Sequence, residues 1–341
     1  MTTENLQITL AARPRGLPVD TDWARVTAPV REPDDGEVVV EVIYLSLDPA
    51  MRGWMNDIRS YIPPVKLGEV FRAAGVGRVI EGRSPDLSAG DLVYGIVGMQ
   101  RYATMKASAL ERLPADAGVS LPDYLGVLGL PGLTAYFGLF DVGAAQPGDT
   151  VLVSAASGAV GSVVGQLAKI HGCRAVGSAG GPDKCRHLTE VLGFDAAIDY
   201  KSGDSLTRAI GAACRDGVNV YFDNVGGPML EAALRHLARG ARVVICGAIH
   251  HYNETSAPRG PAGYLSLLVH RARMEGFVVF DYADRYAEAR AKLAGWLAEG
   301  RLKSQVTIAE GLENAPQALL RLFSGDKLGK LVVRVADDPA A

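Results

Sequence analysis

Thr150-Val151-Leu152-Val153-Ser154-Ala155-Ala156-Ser157-Gly158-Ala159-Val160-Gly161 is the stretch whose reading decides the fold. A short apolar run of strand type leads into Ala156-Ser157-Gly158-Ala159-Val160-Gly161, which has the spacing of G-x-G-x-x-G with alanine in the first place. Downstream, Val160, Val163, Val164, Leu167, Ala168 and His171 recur at i, i+3, i+4, i+7, i+8 and i+11, so a helix with one apolar stripe leaves the glycine turn directly. Strand, glycine turn and helix in that order make a dinucleotide site, because a residue without a Cβ lets the backbone approach a pyrophosphate at the helix N-terminus. Gly158, Ala159, Val160 and Gly161 are therefore candidate cofactor-binding residues.

Outward from this unit, apolar runs at Arg174 to Ser178, Ala196 to Asp199, Val218 to Asp223, Ala241 to Gly247 and Met274 to Phe280 alternate mostly with helical segments. That rhythm predicts an α/β chain with a Rossmann doubly wound parallel sheet over residues 124–301. A long helix is expected over Asp284 to Glu299, ending at Gly300. Before residue 124 the pattern is different. Short runs at Gly36 to Val42, Gly75 to Ile80 and Asp91 to Gly95 sit between turn residues and read as a mainly β, barrel-like domain. Runs at Ser304 to Ala309 and Leu331 to Val335, around a helix starting near Asn314-Ala315-Pro316, predict that 302–341 returns to 1–123.

Composition narrows the function classes. With 35 basic and 38 acidic residues among 341, a net charge of -3 offers no single-sign field for nucleic acid. Residues 1–16 lack the charged-then-apolar order of a secretory signal, and the apolar stretch Leu125 to Phe140 is broken by four glycines and Pro131, so neither export nor a membrane span is expected. Four scattered cysteines, Cys173, Cys185, Cys214 and Cys246, fit reduced thiols in the cytoplasm rather than a disulfide framework.

The second strand of the nucleotide fold selects the cofactor. Sites for NAD place a carboxylate at its end to hold the ribose 2′-hydroxyl. Here that place reads Ser178-Ala179-Gly180-Gly181, followed by Lys184, so a 2′-phosphate meets a cation and NADPH is the expected cofactor. Asp183 beside it suits the N-terminus of the next helix.

Several motifs together resemble the zinc-free medium-chain dehydrogenases/reductases, in the leukotriene hydroxydehydrogenase/prostaglandin reductase and alkenal double-bond reductase branch. They are Leu45 to Arg52, Leu130-Pro131-Gly132-Leu133-Thr134-Ala135-Tyr136, Ala156 to Gly161, Tyr221-Phe222-Asp223-Asn224-Val225-Gly226-Gly227 and Cys246 to Asn253. The resemblance covers nearly the whole chain and implies a GroES-like first domain. It also implies that Lys184 and Tyr200 hold the 2′-phosphate end and that Asn224 faces the cofactor. Cys246, Gly247, Ala248, Ile249 and Tyr252 would line the nicotinamide side, with Phe277, Val278 and Val279 contacting it from a later strand. The chain departs from that pattern at Ala50, where the branch often has tyrosine, and at Lys327, where it usually has asparagine.

Zinc-dependent relatives carry a Gly-His-Glu triplet and a cysteine cluster. The matching stretch here is Leu67-Gly68-Glu69-Val70 and no cysteine precedes residue 173, so no catalytic metal is expected. Reduction of a carbon-carbon double bond conjugated to a carbonyl needs hydride delivery and stabilisation of an enolate, which suits a site without a Lewis acid. Tyr252 is the candidate proton donor or oxyanion partner, and Met51, Tyr61 and Met99 are candidates for an apolar substrate wall. The leading expectation is NADPH-dependent reduction of α,β-unsaturated ketones or aldehydes, with a quinone reductase and a non-catalytic NADPH-binding sensor as alternatives. Asp48 and Arg52 read as a structural ion pair or helix cap, and His250 and His251 stand beside Tyr252 with their role open. The run Arg273 to Phe280 predicts an apolar edge strand and hence a homodimer.

Overall fold

The computed structural model describes residues 3–114, 118–257 and 259–339; positions 1, 2, 340 and 341, at the outer limits of the expected first domain, lie outside the described residues. The chain divides into two compact units, Gly126–Gln305 and Met1–Leu125 with Val306–Ala341.

In the first of these, six strands build one sheet: β1 (Thr150–Val153), β2 (Arg174–Ala179), β3 (Ala196–Asp199), β4 (Val218–Asp223), β5 (Leu237–Ile245) and β6 (Arg273–Gly276). Their order is β3-β2-β1-β4-β5-β6 and every neighbouring pair is parallel. Parallel strands covered on both faces need continuous apolar runs, and Val151, Leu152, Val153, Val220, Tyr221 and Phe222 are all wholly buried. The order reverses between β1 and β4, which opens a crevice beyond the carboxyl ends of those strands. Helix α1 (Ala159–Ile170) starts there and turns Val163, Val164, Leu167 and Ala168 into the core.

The last strand differs from its expected span. It stops at Gly276 instead of reaching Phe280, because Phe277 leaves the sheet to pack edge-on against Phe222 at 6.5 Å and 82°, after which Val279–Arg285 winds into a 3-10 turn. All four residues of β6 are exposed and alternate between charged and apolar, with Arg273 and Glu275 paired at 3.2 Å. The apolar surface nearby belongs instead to Tyr264, Leu265, Leu268 and Val269, each more than half exposed.

The other unit is built around Glu37–Leu47, which pairs antiparallel with Gly75–Gly82, Tyr102–Lys106 and Lys330–Arg334. The C-terminal segment adds Lys330–Arg334 to this sheet and, parallel to it, Val306–Glu310. A two-stranded ribbon, Glu4–Leu10 with Trp23–Pro29, joins through bridges at Gln7–Gln100 and Thr9–Val70. Asp48 and Arg52, expected as an ion pair or helix cap, each have partners of their own. Lys330, buried to 2%, reaches Asp48 Oδ1 at 2.5 Å and the Leu47 carbonyl at 2.8 Å, while Arg52 donates to the carbonyl of Gly16 at 2.8 Å and to Asn56 Oδ1 at 2.7 Å. Each buried cation thus meets acceptors: Lys330 finds the end of the strand Glu37–Leu47 and the carboxylate after it, and Arg52 finds a loop carbonyl and the Asn56 side chain.

Candidate functional site

Three loops at the carboxyl ends of β1, β2 and β5 hold most of the residues singled out above. After β1, Gly158 is extended (φ -88°, ψ 177°) and caps α1, whose first-turn amides point into the crevice. Gly161 sits where no side chain fits: a Cβ would lie 2.5 Å from the Ala155 carbonyl oxygen and 2.9 Å from Ala156 Cα. The helix can therefore start tight against the strand, with its positive end aimed at the crevice.

Beyond β2 the site is built from charge. Lys184 is half-buried in the short helix Pro182–Arg186, and the Tyr200 hydroxyl lies over Gly180, 2.7 Å from where a Cβ would stand. The nearby acids are committed elsewhere. Asp183 pairs with Arg186, and Asp199 Oδ1 accepts the amides of Gly181 at 2.8 Å and Lys201 at 2.9 Å. Lys184, Tyr200 and the cradle at Gly180 fit a dinucleotide carrying a 2′-phosphate, with the first turn of α1 for its pyrophosphate.

The loop after β5 has the opposite character. Cys246 and Gly247 donate their amides to the Asp223 carbonyl at 2.9 and 3.1 Å, Ile249 donates to Asn224, and His250 to Val225. Burial, with the Asp223 charge second, pushes the Cys246 thiol up to about 12, so it stays protonated. Tyr252 closes back on the loop. The Ala248 amide donates to its hydroxyl oxygen at 3.2 Å, which directs the hydroxyl proton away from that amide. Phe277 lies against Phe222 at the end of β4, and Val278 and Val279 are half-buried beside it.

Sequence reasoning missed the network beneath Asn224. Asp223 is buried to 1% and its Oδ1 accepts four hydrogen bonds, from Tyr221 Oη (2.7 Å), Ser154 Oγ (3.1 Å) and the amides of Val225 and Gly226 (both 2.9 Å). Oδ2 has no partner among the described residues, and burial raises the carboxyl above its ordinary value. Ser154 in turn accepts the Asn224 amide at 2.9 Å, and its carbonyl accepts Asn224 Nδ2 at 2.8 Å. The signal was there: Ser154 and Asp223 are the polar residues that end two neighbouring apolar strands.

The structure places the candidate substrate residues unequally. Met51 and Met99 are 0% exposed inside the core formed with Phe71, Leu45 and Val333, so they pack the unit and offer no surface, whereas Tyr61 is 56% exposed. No helix among the described residues is long and apolar enough to cross a membrane.

Comparison with known proteins identifies the family. Residues 6–113 match the family model described as the N-terminal domain of oxidoreductase, and residues 159–295 match the one described as zinc-binding dehydrogenase. The chain is 42% identical to the NADPH-dependent curcumin reductase of Escherichia coli, covering 98% of each protein. It is 40% identical to the NADP(+)-dependent 2-alkenal reductase of Nicotiana tabacum, over 97% of this chain and 98% of that one. Among solved structures, CurA of Vibrio vulnificus in complex with NADPH superposes with a TM-score of 0.93 at 40% identity, covering 98% of this chain and all of that one.

Proposed function

This chain belongs to the medium-chain dehydrogenases/reductases, in the branch of NADPH-dependent double-bond reductases, and from that premise we propose that it reduces the carbon-carbon double bond of α,β-unsaturated ketones or aldehydes. The observation that supports the reading is the Cys246–Tyr252 loop: it is pinned to the end of β4, holds no charged side chain between Cys246 and Ile249, and folds a tyrosine hydroxyl back onto the Ala248 amide.

NADPH, when bound, supplies the hydride that goes to the β-carbon of the substrate. The residues that would hold it are Gly158, Ala159, Val160 and Gly161 at its pyrophosphate, Lys184 and Tyr200 at its 2′-phosphate, and Asn224, Cys246, Gly247, Ala248, Ile249, Phe277, Val278 and Val279 around the nicotinamide. As the carbonyl oxygen gains negative charge, the Tyr252 hydroxyl donates a hydrogen bond to it, or passes its proton to the α-carbon. The Asp223 and Ser154 pair fixes Asn224 so that the loop does not have to reorganise during the reaction. Tyr61 is the proposed aromatic contact for the substrate.

We further propose that the enzyme works in the cytoplasm as a homodimer. Support for the dimer is the outer edge of β6, which pairs with no strand among the described residues, together with the exposed side chains of Tyr264, Leu265, Leu268 and Val269, apolar surface that monomers seldom leave bare. Light scattering at micromolar concentration should give twice the 36.0 kDa chain mass, and a monomer would refute it. The activity itself is tested by following NADPH consumption over a panel of enones, enals and quinones, with products identified by NMR. A saturated ketone or aldehyde is expected; hydroquinone as the main product would move the enzyme to the quinone reductases, and no turnover at all would leave a binding protein.

A further inference from the structure

Two histidines on the Tyr252 loop take no part in the proposed reaction, yet they are held in place. Ligand atoms of His250, His251 and Glu254 all lie within 4.8 Å of one another, and no other such group of histidine, cysteine and carboxylate side chains occurs among the described residues. His251 Nδ1 is 2.9 Å from Glu254 Oε2, and the two imidazoles meet edge to face with centroids 5.0 Å apart at 87°. What separates this cluster from an ordinary surface ion pair is its seat. Gly226 and Gly227, at φ of +71° and +50°, lie directly under the rings: a Cβ at Gly227 would collide with the His250 ring, and one at Gly226 would come within 3.3 Å of His251 Cδ2.

The backbone that carries the three side chains is pinned as well. His250 donates its amide to Val225 at 3.1 Å, His251 to Ala248 at 2.8 Å, and Glu254 to His251 at 3.1 Å. Much of the ordering that a ligand set requires is therefore present beforehand, which lowers the entropy cost of binding. The cluster faces an open groove of about 680 Å³ that also includes Thr207, Glu231 and Arg235, so an ion reaches it from solvent.

Two imidazoles and one carboxylate form a borderline-soft set with room for a fourth, water ligand, which suits zinc and its neighbours and not magnesium or calcium, whose sites are built from oxygen atoms. We propose that His250, His251 and Glu254 bind one divalent ion of the zinc class, and that its occupancy slows the enzyme. The second half rests on the reductase reading: an ion joining 250, 251 and 254 brackets Tyr252 in the chain, and drawing the three side chains onto it shifts the Tyr252 hydroxyl from the position in which the pinned loop presents it to the substrate oxygen. The ion takes no part in the chemistry.

The test separates the two halves. Metal-free protein is titrated with Co2+, read by its visible absorption, and with Zn2+ by calorimetry. One ion per chain is expected, with affinity at least tenfold weaker in Glu254→Gln and in His251→Gln, and no heat from Mg2+. Absence of stoichiometric cobalt, or equal binding by the variants, overturns the site. In the assay with NADPH and an enone, Zn2+ should lower turnover of the parent at least fivefold, reversibly with a chelator, and leave Glu254→Gln unaffected. Unchanged parent turnover with zinc bound overturns the regulatory half. A chain that binds cobalt as described but reduces no enone sinks the reductase reading and the slowing with it, and keeps the site.

Discussion

The loops after β2 and β5 start from the ends of strands in one parallel sheet and solve opposite problems. The first works by charge at the surface: Lys184 is half-buried, Tyr200 is 46% exposed, and the surrounding acids are tied up by Arg186 and by backbone amides. The second keeps charge out of its first four residues, Cys246 to Ile249. Its thiol is held neutral, its amides are bound to β4, and one phenol is presented on a rigid base. On the proposed reading, binding energy belongs to the first and turnover to the second, so substitutions in the two loops should separate Kd from kcat.

Tyr252→Phe is the largest test of that division. It removes one hydroxyl and keeps the ring, so turnover should fall by roughly a hundredfold, the low end for general acid catalysis, while NADPH affinity stays nearly unchanged. Single-turnover hydride transfer to an enone measures this directly, and equal rates in the two proteins would reduce Tyr252 to a packing residue. Lys184→Glu should do the reverse. One lost charge-assisted contact is worth about 1.5 to 3 kcal/mol, which is roughly ten- to a hundredfold in NADPH affinity, with NADH affected far less. If the parent protein titrates identically with both cofactors, the loop after β2 does not read the phosphate.

Gly161→Ala asks whether the platform shared by both loops is as tight as it looks. The added Cβ would stand 2.5 Å from a backbone oxygen, which a flexible side chain cannot relieve. A loss of about 1 to 3 kcal/mol in stability is expected, visible as a lowered Tm, with the remaining folded protein still binding NADPH weakly. An unchanged Tm would mean that the helix start can move.

How much of this was legible in the sequence divides along the same line. The glycine turn, the missing acid after Ala179 and the Lys184 position are local patterns, fixed by spacing along one chain segment. The strand ends were less legible, since β6 stops at Gly276 because Phe277 finds Phe222, a contact between residues 55 positions apart. Met51 and Met99 failed as pocket residues for a related reason: nothing in a lone methionine tells whether its face of the unit is lined by core or by ligand. The Asp223 and Ser154 network needed the sheet order, which puts β1 beside β4.

The smallest expected effect concerns the thiols, and it completes the comparison. Burial raises Cys246 to about 12, and Cys173 and Cys214 to about 11, from an ordinary value of 9.0. Thiolate is the reactive form, so at pH 8 the thiol of the catalytic loop is almost entirely unreactive and iodoacetamide should leave turnover unchanged over hours. The same shifts set the sign of the alkaline stability profile. In the unfolded chain these thiols ionise near pH 9, while in the folded chain they do so only near 11 to 12. Their contribution to stability is therefore complete below pH 9 and is lost as the pH rises from 9 through 11 to 12. Rapid alkylation of Cys246 at pH 8, mapped by mass spectrometry and accompanied by loss of turnover, would show that the loop opens to solvent, and the contrast between a charged binding loop and a loop that starts with four uncharged residues would fail.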